Sequence, residues 1–166
     1  MDFSEKEFEK IIRRNKKRLK HLCRVYANRR EDEKDLFQEI VVEIWRSLSS
    51  FKGDAKIDTW IYRLAINTAI SFIRKKKTRK KYHSKYHKEK DTRKEAPEII
   101  TGEKNEKVES LYKAIEELDT TEKAIITMYL DNFSYAEIAY VTDITENYVG
   151  VKLHRIKNKL SKMINQ

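Results

Sequence analysis

Asn147, Val151, His154, Arg155 and Asn158 recur toward the C-terminus at intervals that place them on one side of an α-helix. Their chemistry is that of base reading. Amide and guanidinium groups can hydrogen-bond base edges, and an exposed aliphatic group can meet a thymine methyl. From Tyr148 to Lys162 there are five basic residues and no acidic one, which suits a phosphate-rich partner. A solvated helix of a small bundle carries a similar face, and periodicity alone does not separate the two.

Two further constellations carry recognition chemistry. Trp60, Arg63, Asn67, Ser71 and Arg74 share one helical face and lead into a run of lysines. Aromatic, amide and guanidinium groups on one surface are what single-stranded nucleic acid needs, bases stacking on the ring while charges follow phosphates. Here Trp60 could equally be a core residue beside a solvated face. Asp35, Gln38, Glu39, Val42 and Arg46 gather on another helix with Trp45 at the margin. A valine and a tryptophan beside carboxylates form a docking surface, because aromatic anchors are favoured at interfaces. The competing reading has Trp45 completing the core.

The elements that position these residues are all helical. Ser134 followed three residues later by Glu137 is a capping box, and Ile138, Ala139 and Val141 then supply a short apolar face. Thr145 can cap a second helix, whose inward positions are Val149, Leu153, Ile156 and Leu160. Only a tight turn fits between them, with Asp143 as the turn residue, so the pair reads as a helix-turn-helix. At the other end, Ser4 with Glu7 forms a second capping box ahead of the stripe Phe8, Ile11, Ile12, Leu19, Leu22 and Tyr26. A helix over about 32–48 buries Leu36, Phe37, Ile40, Val41, Ile44 and Leu48. Phe51–Lys56 is a loop, and a third helix from about Ile57 buries Ile57, Ile61, Leu64, Ala65, Thr68 and Phe72.

Composition bounds the rest. Three Gly and one Pro in 166 residues exclude a turn-rich β architecture. The single cysteine, Cys23, excludes an internal disulfide, and its neighbours Leu19, Leu22 and Tyr26 make it a packed core thiol rather than a reactive one. No apolar run spans a bilayer and no signal-peptide pattern opens the chain, so a cytoplasmic location is expected. Arg74–Lys94 holds twelve Lys/Arg against two acidic residues, a surplus of ten. The whole chain's surplus is also ten, so the remainder is balanced. That polar stretch, leading to Pro97 and Gly102, reads as a linker. It is either a solubilising tether or an arm that follows a nucleic-acid backbone. The expected organisation is all-α: a helical domain over 1–78, a flexible basic linker over 79–105, and a helix-turn-helix domain over 106–166. His83 and His87 stand four apart, but the surrounding lysines repel a cation, and no metal site is expected.

The motifs in order are Asp35-Leu-Phe-Gln-Glu, Trp45, Phe51-Lys-Gly, Thr59-Trp-Ile-Tyr-Arg-Leu-Ala-Ile-Asn and the Leu118–Lys159 segment. Their order and spacing resemble bacterial RNA polymerase sigma factors of the extracytoplasmic-function (ECF) group. The resemblance implies a non-enzymatic protein that binds core polymerase, directs it to promoters and helps open the duplex. It implies that Asp35, Gln38, Glu39 and Trp45 dock on the clamp of the largest subunit, with a further contact at the flap. It assigns Lys52, Gly53, Asp54, Lys56, Trp60, Arg63, Asn67 and Arg74 to the minus-ten element. Thr145, Asn147, Tyr148, Val151, Lys152, His154, Arg155 and Lys157 are assigned to the minus-thirty-five element. The further partners implied are promoter DNA and an anti-sigma factor, which in the family is often at the membrane; no cofactor and no small-molecule substrate are implied.

Three positions depart from the family pattern. Asp143 replaces a frequent glycine and is expected to accept the left-handed turn. Gly150 replaces a larger polar or basic residue, and Ile66 replaces a commonly basic one, an expected loss of a backbone contact. Two other functions compete. A stand-alone helix-turn-helix regulator accounts for 106–166 but leaves the Asp35–Trp45 and Trp60 surfaces unused. A nuclease with a metal on Asp35 and Glu39 lacks a third ligand at a suitable helical offset.

Overall fold

The computed structural model describes residues 3–27, 29–84 and 103–165. Among them are seven α-helices and no strand: α1 (Glu5–Tyr26), α2 (Arg30–Ser47), α3 (Ile57–Ser84), α4 (Glu103–Glu116), α5 (Thr120–Leu130), α6 (Tyr135–Thr142) and α7 (Glu146–Ile164). A single 3-10 turn, Leu48–Ser50, follows α2. The helices form two compact units, one within residues 1–97 and one within 98–166.

In the first unit α1, α2 and α3 each pack on the other two. Ser4 starts α1 as expected: its hydroxyl accepts from the Glu7 amide, and the Glu7 carboxylate accepts from the Ser4 amide at 2.8 Å. Those bonds hold the Glu7 carboxyl below its ordinary range. The cap is therefore in place above the usual glutamate pKa and is lost as pH falls through the depressed value. Leu19, Leu22, Leu36, Ile40, Ile44 and Ile61 are fully buried and form the core. Phe8, Ile12, Phe37, Val41, Leu64 and Phe72, expected inside, are only half-buried. On α3 the core face is wider than a single stripe. Tyr62, Ile66 and Ala69 are buried beside Ile61, Ala65 and Thr68, because two helices rather than one pack against α3.

Polar groups set the joints between these helices. Asn15, 1% exposed, donates to the Ile11 carbonyl at 3.0 Å and to Asp58 Oδ1 at 2.8 Å. Arg14 Nη2 reaches the same oxygen at 2.6 Å. Asp58 stands in the first turn of α3, where a carboxylate also meets the positive end of the helix dipole. The start of α3 is thus held to the middle of α1. Farther along, Lys76 pairs with Asp32, and Lys75 Nζ lies 3.2 Å from Glu39 Oε1, so the basic end of α3 is held to α2. The helix continues to Ser84, through residues 79–84 that were expected to begin the linker. Residues 85–102, and the side chains of His83 and His87, lie outside the described residues.

In the second unit α4 and α5 pack on α7, and α6 packs on α5 and α7. Asp119 with Glu122 caps α5, a capping box with aspartate in the first place. Ser134 with Glu137 caps α6, and Thr145 Oγ1 accepts from the Tyr148 amide to cap α7. Asn132 (φ 62°) and Asp143 (φ 54°) supply the left-handed residues of the two turns. These are the residue types whose short polar side chains tolerate that conformation.

Cys23 is 1% exposed, and burial with help from the Glu33 charge pushes its thiol up to about 12. Since the thiolate is the nucleophile, iodoacetamide at pH 8 should leave the native chain unmodified and label Cys23 rapidly in denaturant. Fast native labelling, followed by mass spectrometry, would contradict this packing.

Candidate nucleic-acid interface

Burial of Val149, Leu153, Ile156 and Leu160 turns the opposite side of α7 to solvent. Thr145, Asn147, Tyr148, Val151, His154, Arg155, Lys157 and Asn158 are all exposed there, while Lys152 is half-buried. The surface is aliphatic at Val151, 45% exposed, and polar or cationic around it. Two contacts organise it, one reaching to another helix and one spanning a single turn of α7. Lys157 Nζ donates to the Tyr129 hydroxyl at 2.9 Å and sits 4.0 Å from that ring's centroid, so α5 holds this charge. Asn158 Nδ2 lies 3.1 Å from His154 Nε2. His154 and Asn158 were legible as outward-pointing residues, whereas the α5 partner of Lys157 was not.

Gly150 is not on the open face. A Cβ there would meet the Tyr135 ring of α6 at 3.5 Å, an ordinary contact distance. A longer side chain would run into that ring rather than point freely outward.

The second surface begins in the loop before α3. Lys52, Gly53, Asp54 and Lys56 are exposed, and Gly53 has φ +82°, where only glycine is at ease. Trp60 is half-buried, its ring 5.3 Å from that of Phe51, so one face is packed and the remainder borders solvent. Arg63 and Ser71 are half-buried; Asn67 and Arg74 are exposed. Sequence position alone left Trp60 undecided between core and surface. The structure makes it a boundary residue, seated on Phe51. Ile66, by contrast, is 4% exposed and part of the core. It does not face outward beside Asn67, so its apolar character costs no contact on that face.

The third surface lies on α2. Asp35 and Gln38 are exposed, and Glu39 is half-buried against Lys75. Trp45 is 50% exposed, with Val42 also exposed beside it. The tryptophan is therefore outside the core, and its ring meets that of Phe8 of α1 in a T-shaped contact with centroids 4.8 Å apart. Phe8 had been expected to serve only the core stripe. Among the described residues no three His, Cys, Asp or Glu side chains converge as a metal site would require, and no helix is long and apolar enough to cross a membrane.

Family comparison accounts for both units. Residues 11–79 match the model for sigma-70 region 2, and residues 108–160 match sigma-70 region 4; together they cover more than half of the chain. The chain belongs to the sigma-70 family. Within it, similarity points to the ECF group. The ECF RNA polymerase sigma-E factor of Haemophilus influenzae is 26% identical over 169 residues, covering 96% of this chain and 88% of that protein. The sigma-E factor of Escherichia coli is 29% identical over 145 residues, covering 80% and 76%. The fold is shared with the sigma factor RpoE of Bartonella quintana, solved with the anti-sigma factor NepR, at TM-score 0.74 and 18% identity over 96% of this chain and 98% of that one. It is also shared with CnrH, solved with the cytosolic domain of CnrY, at TM-score 0.71 and 18% identity over 98% and 90%. In this sigma factor the α2 and α3 surfaces lie in region 2 and α7 lies in region 4.

Gly150→Ala should stabilise α7 by about 1 kcal/mol, the usual helix-interior difference, because the added methyl meets Tyr135 at 3.5 Å without overlap. Chemical denaturation of the purified protein would read the shift; a loss of stability would contradict the spacing.

Proposed function

We propose that this sigma factor divides polymerase docking and promoter recognition among its three surfaces, with residues 1–78 and 106–166 carrying separate tasks on either side of the linker at 79–105. The exposed α2 face, Asp35, Gln38, Glu39 and Trp45, docks on the clamp of the largest subunit of core RNA polymerase. The C-terminal unit engages the flap. Lys52, Gly53, Asp54, Lys56, Trp60, Arg63, Asn67 and Arg74 take the minus-ten element. Thr145, Asn147, Tyr148, Val151, Lys152, His154, Arg155 and Lys157 take the minus-thirty-five element.

The observation that carries this reading is the Trp45–Val42 patch beside Asp35 and Glu39, exposed on the same three-helix unit as the Trp60 face. A stand-alone regulator would have no use for it. The Glu39–Lys75 pair does not block docking: an exposed ion pair is worth at most about 1 kcal/mol, which a basic partner surface readily replaces.

Strand opening on this scheme needs no covalent chemistry. A base leaving the stack loses a few kcal/mol of stacking and pairing, and an aromatic surface with nearby cations returns part of it. Trp60, braced by Phe51, offers its half-exposed ring, and Arg63 and Arg74 offer charge. Each reading head is weak alone. Held on one polymerase, the two act at high effective concentration and gain specificity together. The solved RpoE carries the anti-sigma factor NepR, and CnrH carries the cytosolic domain of CnrY. That supports a similar inhibitor here, covering the docking and DNA faces until a signal removes it.

A pull-down with core RNA polymerase tests the docking assignment. Asp35→Lys with Glu39→Lys should abolish retention of polymerase while leaving the helical signal intact; undiminished binding would sink the assignment. Trp60→Ala should retain promoter binding by the holoenzyme yet reduce permanganate reactivity of unpaired thymines by about fivefold or more, given about 1–3 kcal/mol of stacking per base. Equal reactivity would remove Trp60 from the opening step.

A further inference from the structure

His154 and Asn158 stand one turn apart on the exposed face of α7, and their side chains meet, Nδ2 to Nε2, at 3.1 Å. An amide nitrogen donates and does not accept, so the ring nitrogen must be the acceptor. A neutral imidazole carries one bare and one protonated nitrogen. With Nε2 bare and occupied by Asn158, the proton sits on Nδ1, on the ring edge turned away from Asn158.

Neighbours on the helix surface leave that edge open. Three and four residues before His154 are Val151 and Gly150, neither of which has a side-chain hydrogen-bonding group. Three residues after it is Lys157, whose ammonium is held by Tyr129 on α5. Asn158 is the one residue at helical contact spacing that orients the imidazole.

We propose that Asn158 is a positioning residue for base reading, and that it makes His154 a donor-only reader which excludes cytosine from the base opposite it. The inference rests on α7 being the promoter-reading helix. In the major groove guanine offers N7 and O6, adenine N7 and thymine O4 as acceptors, whereas cytosine offers the N4 amino group, a donor. Nδ1–H can bond any of the first three and meets cytosine donor to donor. A free histidine could move its proton and accept from N4. Here that move requires the Asn158 amide to turn over and present its oxygen, so discrimination arises from a penalty on the wrong base as well as from attraction to the right ones.

The test uses the full chain bound to core polymerase, selecting from duplexes randomised across the upstream element. Wild type should show one position where cytosine is depleted about fivefold, the low end for a base-specific contact. His154→Ala should erase that depletion, and Asn158→Ala should reduce it to about twofold or less, with other positions unchanged. Nitrogen-15 spectra of the neutral His154 ring in the free chain should show Nδ1 protonated, shifting toward the other tautomer in Asn158→Ala. Both residues are exposed, so neither substitution removes core packing. A proton on Nε2 in wild type, or cytosine depletion untouched by Asn158→Ala, overturns the proposal while leaving α7 as the reader. Enrichment of no duplex at all, with the ring proton on Nδ1 as expected, overturns the α7 reading itself and the base-reading role with it.

Discussion

Burial of one apolar stripe on each helix is the constraint from which the functional surfaces follow. A helix cannot bury Val149, Leu153, Ile156 and Leu160 without turning Asn147, Val151, His154, Arg155 and Asn158 to the opposite side. The same logic turns Asp35, Gln38 and Trp45 outward when Leu36, Ile40 and Ile44 go in. Fully burying a large aliphatic side chain stabilises the fold by about 1.5–3 kcal/mol. Several such residues on one helix hold its rotation far more firmly than any surface contact could.

Rotation alone does not fix where a helix begins or how far it runs. In the first unit that is settled by a few polar joints. The Asp58 carboxylate accepts from Arg14 and from buried Asn15, which holds the first turn of α3 against α1. Losing the carboxylate would take from the buried Asn15 amide one of its two acceptors, a net cost of about 0.5–1.5 kcal/mol. At the far end Lys75 and Lys76 hold α3 to Glu39 and Asp32. These two lysines therefore face α2. The α2 face bearing Asp35 and the cationic end of α3 are joined at Glu39, so charge on one face is shared with the other.

Much of this was readable in the residues. Three N-caps, at Ser4, Ser134 and Thr145, stand where their side chains indicate, because a capping bond is local and spans only three residues. The left-handed turn at Asp143 was likewise foreseeable from one side chain's tolerance. Periodicity worked best on α7, where the four expected inward residues are the four buried ones. It worked less well on α3, where two packing partners widen the buried arc and draw Tyr62, Ile66 and Ala69 inside. A pattern tuned to one stripe does not anticipate a second neighbour. The continuation of α3 to Ser84 was missed for a related reason: a run of lysines resembles a solvated tether until two carboxylates of another helix neutralise part of it.

The sequence by itself determined five of the seven described helices, the caps at Ser4, Ser134 and Thr145, and the candidate recognition residues, since these follow from contacts and spacings within a few turns. The motif order further named the family. Tertiary structure alone decided how each candidate is held. Trp45 leans on Phe8 outside the core, Trp60 is braced on Phe51, Gly150 lies against Tyr135, and Lys157 is held by Tyr129. Each of these contacts joins residues at least 9 positions apart, from different elements or an element and a loop. Side-chain spacing along one helix carries no information about what a neighbouring helix brings beside it, and that neighbour decides how each exposed residue is held.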